Sequence, residues 1–387
     1  MKKIMFIVVK IFGIILASLC LLLFVFVLGP NHLLTTQIGS IFFPLAAGRL
    51  LVLLILLTLA SLGFVGWIIK QKRKPGKFLI TLTLVSIIAL FTGGTEWLIE
   101  RNIVRENGGQ ISLMGDKSIS TSAKPDTQVS FAHREGKDLK VSVYKNKGIA
   151  KKQKQPVYIY IHGGGWASGD SESSAWLHRS MADKGYVSFS INYRLATGNH
   201  PNWRTATDDV VDAIKWIKSH AAEYGGDGEH IFLSGESAGG QLALLYAGLV
   251  SSGKIEAPIP DAVGVMYPAI DMTWTAKNGR YLSSNVIPGI VEKYLGGNLT
   301  AHKNRLKSVS PTNYINDKFP PVYIIHGQKD SLVSITGSEK FVSKLNQAGG
   351  QAKLVKIPFA NHGINMQEVV SLLSNYAKKI DGLSIKK

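Results

Sequence analysis

The stretch that most restricts what this chain can fold into is Ile231-Phe232-Leu233-Ser234, followed by Gly235-Glu236-Ser237-Ala238-Gly239-Gly240 and Gln241-Leu242-Ala243-Leu244-Leu245. It reads as a short apolar strand that turns sharply into an apolar-faced helix. A strand and a helix that are both this apolar have to be covered on their neighbouring faces, which puts the unit inside a layered sheet. Ser237 sits at the bend, where a tight turn lifts its hydroxyl clear of the backbone. Gly235 and Gly239 carry no Cβ, so strand and helix can close around that turn. The helix that follows aims its free N–H groups and the positive end of its dipole at the same point. Ser237 is therefore a candidate nucleophile.

The rest of the second half alternates in the same manner. Thr127–Ala132 and Leu139–Tyr144 alternate apolar and polar residues around Glu135-Gly136-Lys137, the pattern of an antiparallel hairpin. Strands are then expected at Val157–Ile161, Tyr186–Asn192, Ile231–Ser234, Ala262–Tyr267, Val322–His326 and Leu354–Ile357. Helices are expected at Ser173–Lys184, Trp203–Tyr224, after Ser237, at Ser338–Leu345 and at Gln367–Ile380. Strands that alternate with helices imply an α/β fold, a mostly parallel sheet with helices on both faces. Ligands in such sheets bind beyond the carboxyl ends of the strands. Residues 272–318 are less regular and are expected to form a lid, in which Trp274, Tyr281, Ile287 and Tyr294 are candidates to line an apolar pocket.

The first hundred residues belong to another class. Ile4–Leu28 is interrupted only by Lys10, Leu50–Ile69 is uncharged, and Phe78–Thr95 is uncharged and continues through Trp97-Leu98-Ile99. A bilayer core needs about 20 helical residues to cross, so three transmembrane helices are expected over residues 1–100. The first run is longer than the apolar part of a cleavable signal peptide. Positive charge gathers at Lys2-Lys3 and in Lys70–Lys77, while Arg49 stands alone in the loop between the first two runs. By the positive-inside rule the N-terminus and the basic loop are cytoplasmic, which leaves the chain after residue 100 extracytoplasmic at the cell membrane. Residues 101–126 are polar and read as a linker, and 127–387 as one catalytic domain. Of the formal +18, residues 1–105 supply half, with 11 Lys/Arg against 2 acids. The bilayer accounts for that excess. No basic stripe with interleaved aromatics occurs, so nucleic acid is not an expected partner. The single cysteine, Cys20, lies in the first apolar run, so the outer domain has to hold together by its core, without a disulfide.

The strand Val157–Ile161 runs into His162-Gly163-Gly164-Gly165-Trp166. A phosphate-binding loop would need Gly-Lys-Ser/Thr here, and no dinucleotide fingerprint opens a helix. Three glycines let backbone N–H groups face a substrate oxygen. With the N–H of Ala238, those of Gly163, Gly164 and Gly165 are candidates for an oxyanion hole. Ser237 needs a base, and only His302, His326 and His362 follow it. His302 lies in a polar segment. His326 ends a strand and can face the site. His362 sits in a turn after the last expected strand, at the carboxyl edge of the sheet. The orienting acid is Asp330, with Asp271 as the fallback, since each lies just beyond a strand. Trp166 and Glu236 adjoin these motifs and, with Trp274, are candidates for substrate contact.

His162–Trp166, Asn192-Tyr193-Arg194-Leu195-Ala196, Gly235–Gly240, His326–Asp330 and Asn361–Gly363 together resemble the α/β-hydrolase fold, and within it the hormone-sensitive-lipase-like and bacterial esterase branch. The resemblance spans roughly residues 127–380. It implies a serine esterase with no metal or organic cofactor, acting on small-molecule or envelope-derived esters. An acyltransferase that uses the same triad on envelope acceptors, and a non-catalytic binding module, are the competing readings. Glu236 stands where the lipase-like group usually has Asp, and membrane spans replace its helical cap.

Overall fold

The computed structural model describes residues 33–116, 119, 123–146, 148, 154–198, 200–279 and 286–384, together with positions 11, 15 and 18. They fall into two units. One runs to residue 116 without 107–109, and the other holds 107–109 and the chain from 117 onward.

The first unit is a helical hairpin, α1 (Leu33–Lys70) and α2 (Lys77–Glu106). Its seam is built from small hydroxyl side chains. Ser61 Oγ lies 2.6 Å from Thr83 Oγ1, and Thr58 and Ser86 are buried beside them. Thr58 and Thr83 also donate to Leu54 O and Leu79 O, each at 2.8 Å, one turn back in their own helices. Small residues let the two backbones approach, and each hydroxyl keeps a partner without water. Leu53, Leu56, Leu59, Leu84, Ile88 and Phe91 face outward. Among the described residues two helices, rather than the expected three, are long and apolar enough to cross a membrane, Leu51–Lys70 and Lys77–Glu106. The first run, Ile4–Leu28 with Cys20, lies outside the described residues apart from positions 11, 15 and 18. The loop expected ahead of Arg49 is helical from Leu33. Residues 101–106, expected in the linker, extend α2, with the Arg101 guanidinium 5.5 Å over the Trp97 ring.

The second unit is an eight-stranded sheet in the order β1-β2-β4-β3-β5-β6-β7-β8. The strands are β1 (Thr127–Arg134), β2 (Lys137–Tyr144), β3 (Gln155–Ile161), β4 (Val187–Ile191), β5 (Gly226–Glu236), β6 (Ala262–Met266), β7 (Val322–Gly327) and β8 (Ala352–Ile357). β1 and β2 pair as the expected antiparallel hairpin, and β2 meets β4 antiparallel. From β4 onward every pairing is parallel, and β8 forms the edge. The helices between the strands are α3 (Ala175–Asp183), α4 (Thr205–His220), α5 (Ala238–Ser251), α6 (Met272–Asn278), α7 (Val286–Leu295), α8 (Lys303–Ser308) and α9 (Ile335–Gln347), and α10 (Met366–Ser384) follows β8. This is the expected α/β fold. The other strands differ from the expected bounds by one or two residues, and β5 differs most, starting at Gly226 where the sequence suggests Ile231. Its first residues, Gly-Asp-Gly-Glu-His, show no apolar alternation. Gly226 and Asp227 pair with Gln155 and Pro156 before a register shift brings Val157 opposite Ile231.

The two faces of the sheet differ in chemistry. Val157, Ile159 and Ile161 enter one core with Val210, Ile214, Leu242 and Phe341 of α4, α5 and α9. The alternate residues, Tyr158 and Tyr160, point the other way, flanked across β4 by Ser188 and Ser190. Over that second face α3 lays His178 between Tyr144 and Tyr160, with ring centroids 5.2 and 4.6 Å away. Its Nε2 donates to Ser173 O at 2.9 Å. Burial pushes the imidazole pKa down to about 4. An unfolded histidine titrates near 6.5, so below that pH the unfolded chain binds a proton that the folded one refuses. Stability contributed by neutral His178 is complete above pH 6.5 and is lost as pH falls from there toward 4, by as much as about 3 kcal/mol. Melting temperatures of the full chain in detergent between pH 7 and 4.5 should fall with pH, and His178→Gln should flatten that slope.

Candidate active site

Everything at the site hangs from the turn at Ser237. Ser237 has φ 52° and ψ −116°, a backbone geometry that side-chain-bearing residues rarely adopt. Three backbone hydrogen bonds hold it there. Ser237 N donates to Met266 O at 3.0 Å, and Ser237 O accepts from Gln241 N and Ala269 N, both at 3.1 Å. α5 begins at the next residue, with Gly239 pressed against the end of β3. A Cβ at position 239 would run into the carbonyl oxygens of Ile161 and His162. Gly235, on the strand side, would meet Gly239 O at 2.5 Å in the same way. Both glycines are therefore required by space, with φ playing no part.

The Ser237 hydroxyl lies 2.9 Å from His362 Nε2, and His362 Nδ1 lies 2.8 Å from Asp330 Oδ2. Asp330 follows β7 and His362 follows β8. Asn361 ties the two loops together, since its Oδ1 accepts from Ser331 N and from His362 N at 2.9 and 2.8 Å. Asp330 is buried, which alone would raise its pKa. The His362 charge and hydrogen bonds from His326 and His362 outweigh that and hold the carboxyl well below its usual range. Its other oxygen, Oδ1, accepts the N–H groups of Leu332 and Val333, each at 2.9 Å. The fallback acid, Asp271, is occupied elsewhere. It caps α6 by accepting from Trp274 N at 2.9 Å. His302 precedes α8 and is not brought to Ser237.

Gly164 and Gly165 have φ of 101° and 59°, and the following Trp166 has φ of 58°. Among the described residues no backbone acceptor outside the helices and strands takes the N–H of Gly164, Gly165 or Ala238. The Gly163 position is closed by Glu236, whose Cγ a Cβ there would meet at 3.0 Å. Trp166 is buried. It stacks on Tyr294 of α7 with centroids 4.3 Å apart, and its indole N–H donates to Gln241 Oε1 at 2.9 Å. It thus pins the glycine loop to α5, and Tyr294 is packed beneath it with Ile287 also buried. Asn202 Nδ2 binds Trp166 O at 3.0 Å. The Tyr-Arg-Leu segment braces the same loop. Tyr193 stacks on His162 at 4.4 Å, while Arg194 pairs with buried Asp209 at 2.7 Å. Trp274 is half-buried, and Tyr281 lies outside the described residues. Glu236 accepts from Ser174 Oγ at 3.1 Å and from Tyr267 OH at 2.8 Å.

Sequence reasoning did not single out Tyr267 or Ile290. Tyr267 has φ 35°, its ring lies 4.7 Å from that of His362, and burial and Glu236 hold its phenol well above the usual pKa. The phenol is thus a permanent donor to Glu236. Its position, directly after β6 at the carboxyl edge, was the available signal. Ile290 of α7 lies against Gly165, at 2.6 Å from where a Cβ would stand, and no sequence pattern marks it. Among the described residues no group of three His, Cys, Asp or Glu side chains converges to hold a metal. A serine hydroxyl, an imidazole and a carboxylate joined in one hydrogen-bonded run form an arrangement that can carry acyl transfer.

The BD-FAE family model matches residues 142–345, more than half of the chain. The chain is 29% identical over 216 residues to the "Probable carboxylic ester hydrolase LipM" of Mycobacterium tuberculosis, covering 54% of this chain and 50% of that protein. It is 26% identical over 243 residues to the esterase LipQ of the same organism, covering 61% and 56%. A solved structure of the thermophilic esterase Est2 from Thermogutta terrifontis, with propionate bound, superposes with a TM-score of 0.54 at 25% identity, covering 66% of this chain and 94% of that one. The fold is that of the α/β-hydrolases. The chain spans little more than half the length of the curated relatives it matches first.

Gly239→Ala should be among the most damaging small substitutions, because backbone on both sides has to move. Overpacking costs about 1–3 kcal/mol, and the loss here is expected at or beyond the upper end, measured as a shift in the denaturation midpoint.

Proposed function

This chain belongs to the BD-FAE family, and from that membership and the geometry at Ser237 we propose that it is a membrane-anchored serine hydrolase of carboxylic esters. The observation that carries the reading is the linear run Ser237 Oγ, His362, Asp330, with contacts of 2.9 and 2.8 Å. In this mechanism His362 Nε2 takes the Ser237 proton as the oxygen attacks the acyl carbonyl. The oxyanion that forms is held by the N–H groups of Gly164, Gly165 and Ala238, with Gly163 as the alternative to Gly165. Each such donor contributes about 3–4 kcal/mol in the transition state. His362 then returns the proton to the leaving alcohol, and the acyl group rests on Ser237 as an ester. Water, activated by the same imidazole, releases it. Asp330 stays ionised throughout and keeps the His362 proton on Nδ1.

Membrane anchorage is supported by α1 and α2, whose outward faces are apolar and whose short connection carries Lys72, Arg73 and Lys74. In the proposed topology that connection is cytoplasmic and the hydrolase unit extracytoplasmic, with envelope or exogenous esters as substrates. Est2 was solved with propionate and with butyrate bound, which favours short acyl groups as the first to try. Half-buried Trp274 is the remaining candidate for substrate contact.

With p-nitrophenyl acetate and the full chain in detergent, Ser237→Ala should lower kcat by roughly five to six orders of magnitude. A variant that keeps most of the wild-type rate would remove Ser237 from the mechanism.

A further inference from the structure

Asp330 Oδ2 serves two imidazoles. One is His362 at 2.8 Å, and the other is His326, whose Nε2 lies 3.1 Å away. His326 Nε2 is also 3.2 Å from Val333 O, which only accepts, so that nitrogen carries a hydrogen. His326 Nδ1 lies 2.9 Å from Ser338 Oγ of α9, and in the neutral ring the hydroxyl donates to it. The side chains form one continuous run, Ser338, His326, Asp330, His362, Ser237, with a single carboxylate between two Ser–His pairs. The pairs differ in access. Ser237 and His362 are half-buried at the site, whereas Ser338 and His326 are fully buried, so the inner pair cannot touch substrate.

We infer that His326, oriented by Ser338, is a positioning residue for the hydrolysis proposed above, fixing the Asp330 carboxylate and taking a share of its charge. The inference rests on that reading. Two backbone N–H groups hold Oδ1, and His326 holds Oδ2. The carboxylate therefore cannot pivot, and Oδ2 keeps one direction for the His362 N–H. Remove His326, and Asp330 gains freedom to turn while its undivided charge bears on His362. The first change slows the chemistry. The second stabilises the imidazolium, so the base loses its proton at higher pH. Tyr267, which faces both His362 and Asp330, and Glu236, bound to Tyr267, are the other titratable groups on this side, and the substitution leaves them in place.

The test is the pH profile of kcat/KM for p-nitrophenyl acetate, using the full chain in detergent micelles. In His326→Leu the acid limb should move up by about half to one pH unit, and kcat should fall roughly tenfold to a hundredfold, with KM little changed. His326→Gln, whose amide N–H reaches toward the same oxygen, should bring the limb back toward the wild-type position. A limb in His326→Leu that superimposes on the wild type overturns the proposal, whatever happens to kcat or to the melting temperature. Should the variants fail to fold, the ¹⁵N imidazole spectrum of the wild-type chain decides. His326 has to carry its proton on Nε2, and the opposite tautomer overturns the proposal. An inactive Ser237→Ala together with an unmoved limb defeats this inference alone, whereas an active Ser237→Ala defeats the hydrolytic reading beneath it.

Discussion

The closeness of two backbones underlies the whole site. Gly239 at the start of α5 rests against the last carbonyls of β3, and that approach holds Ser237 in its unfavourable φ and ψ. Such a conformation costs on the order of 1–3 kcal/mol and persists only where the surroundings determine it. Here the surroundings are the hydrogen bonds to Met266, Gln241 and Ala269 and the apolar face that buries Leu242 and Leu245. Burial of the central sheet therefore has a local effect. It keeps the Ser237 hydroxyl raised at the carboxyl edge, 2.9 Å from the His362 imidazole.

Much of this was legible in the sequence because the signals were local. The bend at Ser237, the three glycines after β3 and the polar turns after β7 and β8 each follow an apolar strand, so strand ends and site residues could be read together. What stayed hidden was tertiary. Tyr267 looks like an ordinary strand residue until its ring is seen against His362, and Trp166 looks like a pocket wall until Tyr294 is found stacked beneath it. Asp271 and Asp330 each lie just beyond a strand, and the sequence favours Asp330 with Asp271 as the fallback. Only the geometry shows that one caps a helix while the other meets an imidazole. The start of β5 was missed for the opposite reason, since Gly226 and Asp227 pair with β3 without any apolar alternation to announce a strand.

The two faces of the sheet divide the work of the fold. The face under α4, α5 and α9 is apolar and supplies most of the burial. The face under α3 carries tyrosine, serine and a histidine whose burial keeps it uncharged. Glu236, Ser174 and Tyr267 join that polar layer to the site from below. A carboxylate close to the glycine loop after β3 is tolerated there because two hydroxyls are committed to it.

The order of strands has a consequence for how activity is lost under stress. Ser237 comes from the middle of the sheet, but Asp330 and His362 follow its last two strands, and β8 has a neighbour on one side only. Terminal strands are the first to open in local fluctuations. A brief detachment of β8 would carry the His362 imidazole away from the Ser237 hydroxyl while the central strands stayed intact. Loss of the proposed hydrolysis in mild denaturant is thus set at the rim of the sheet, ahead of collapse of its centre.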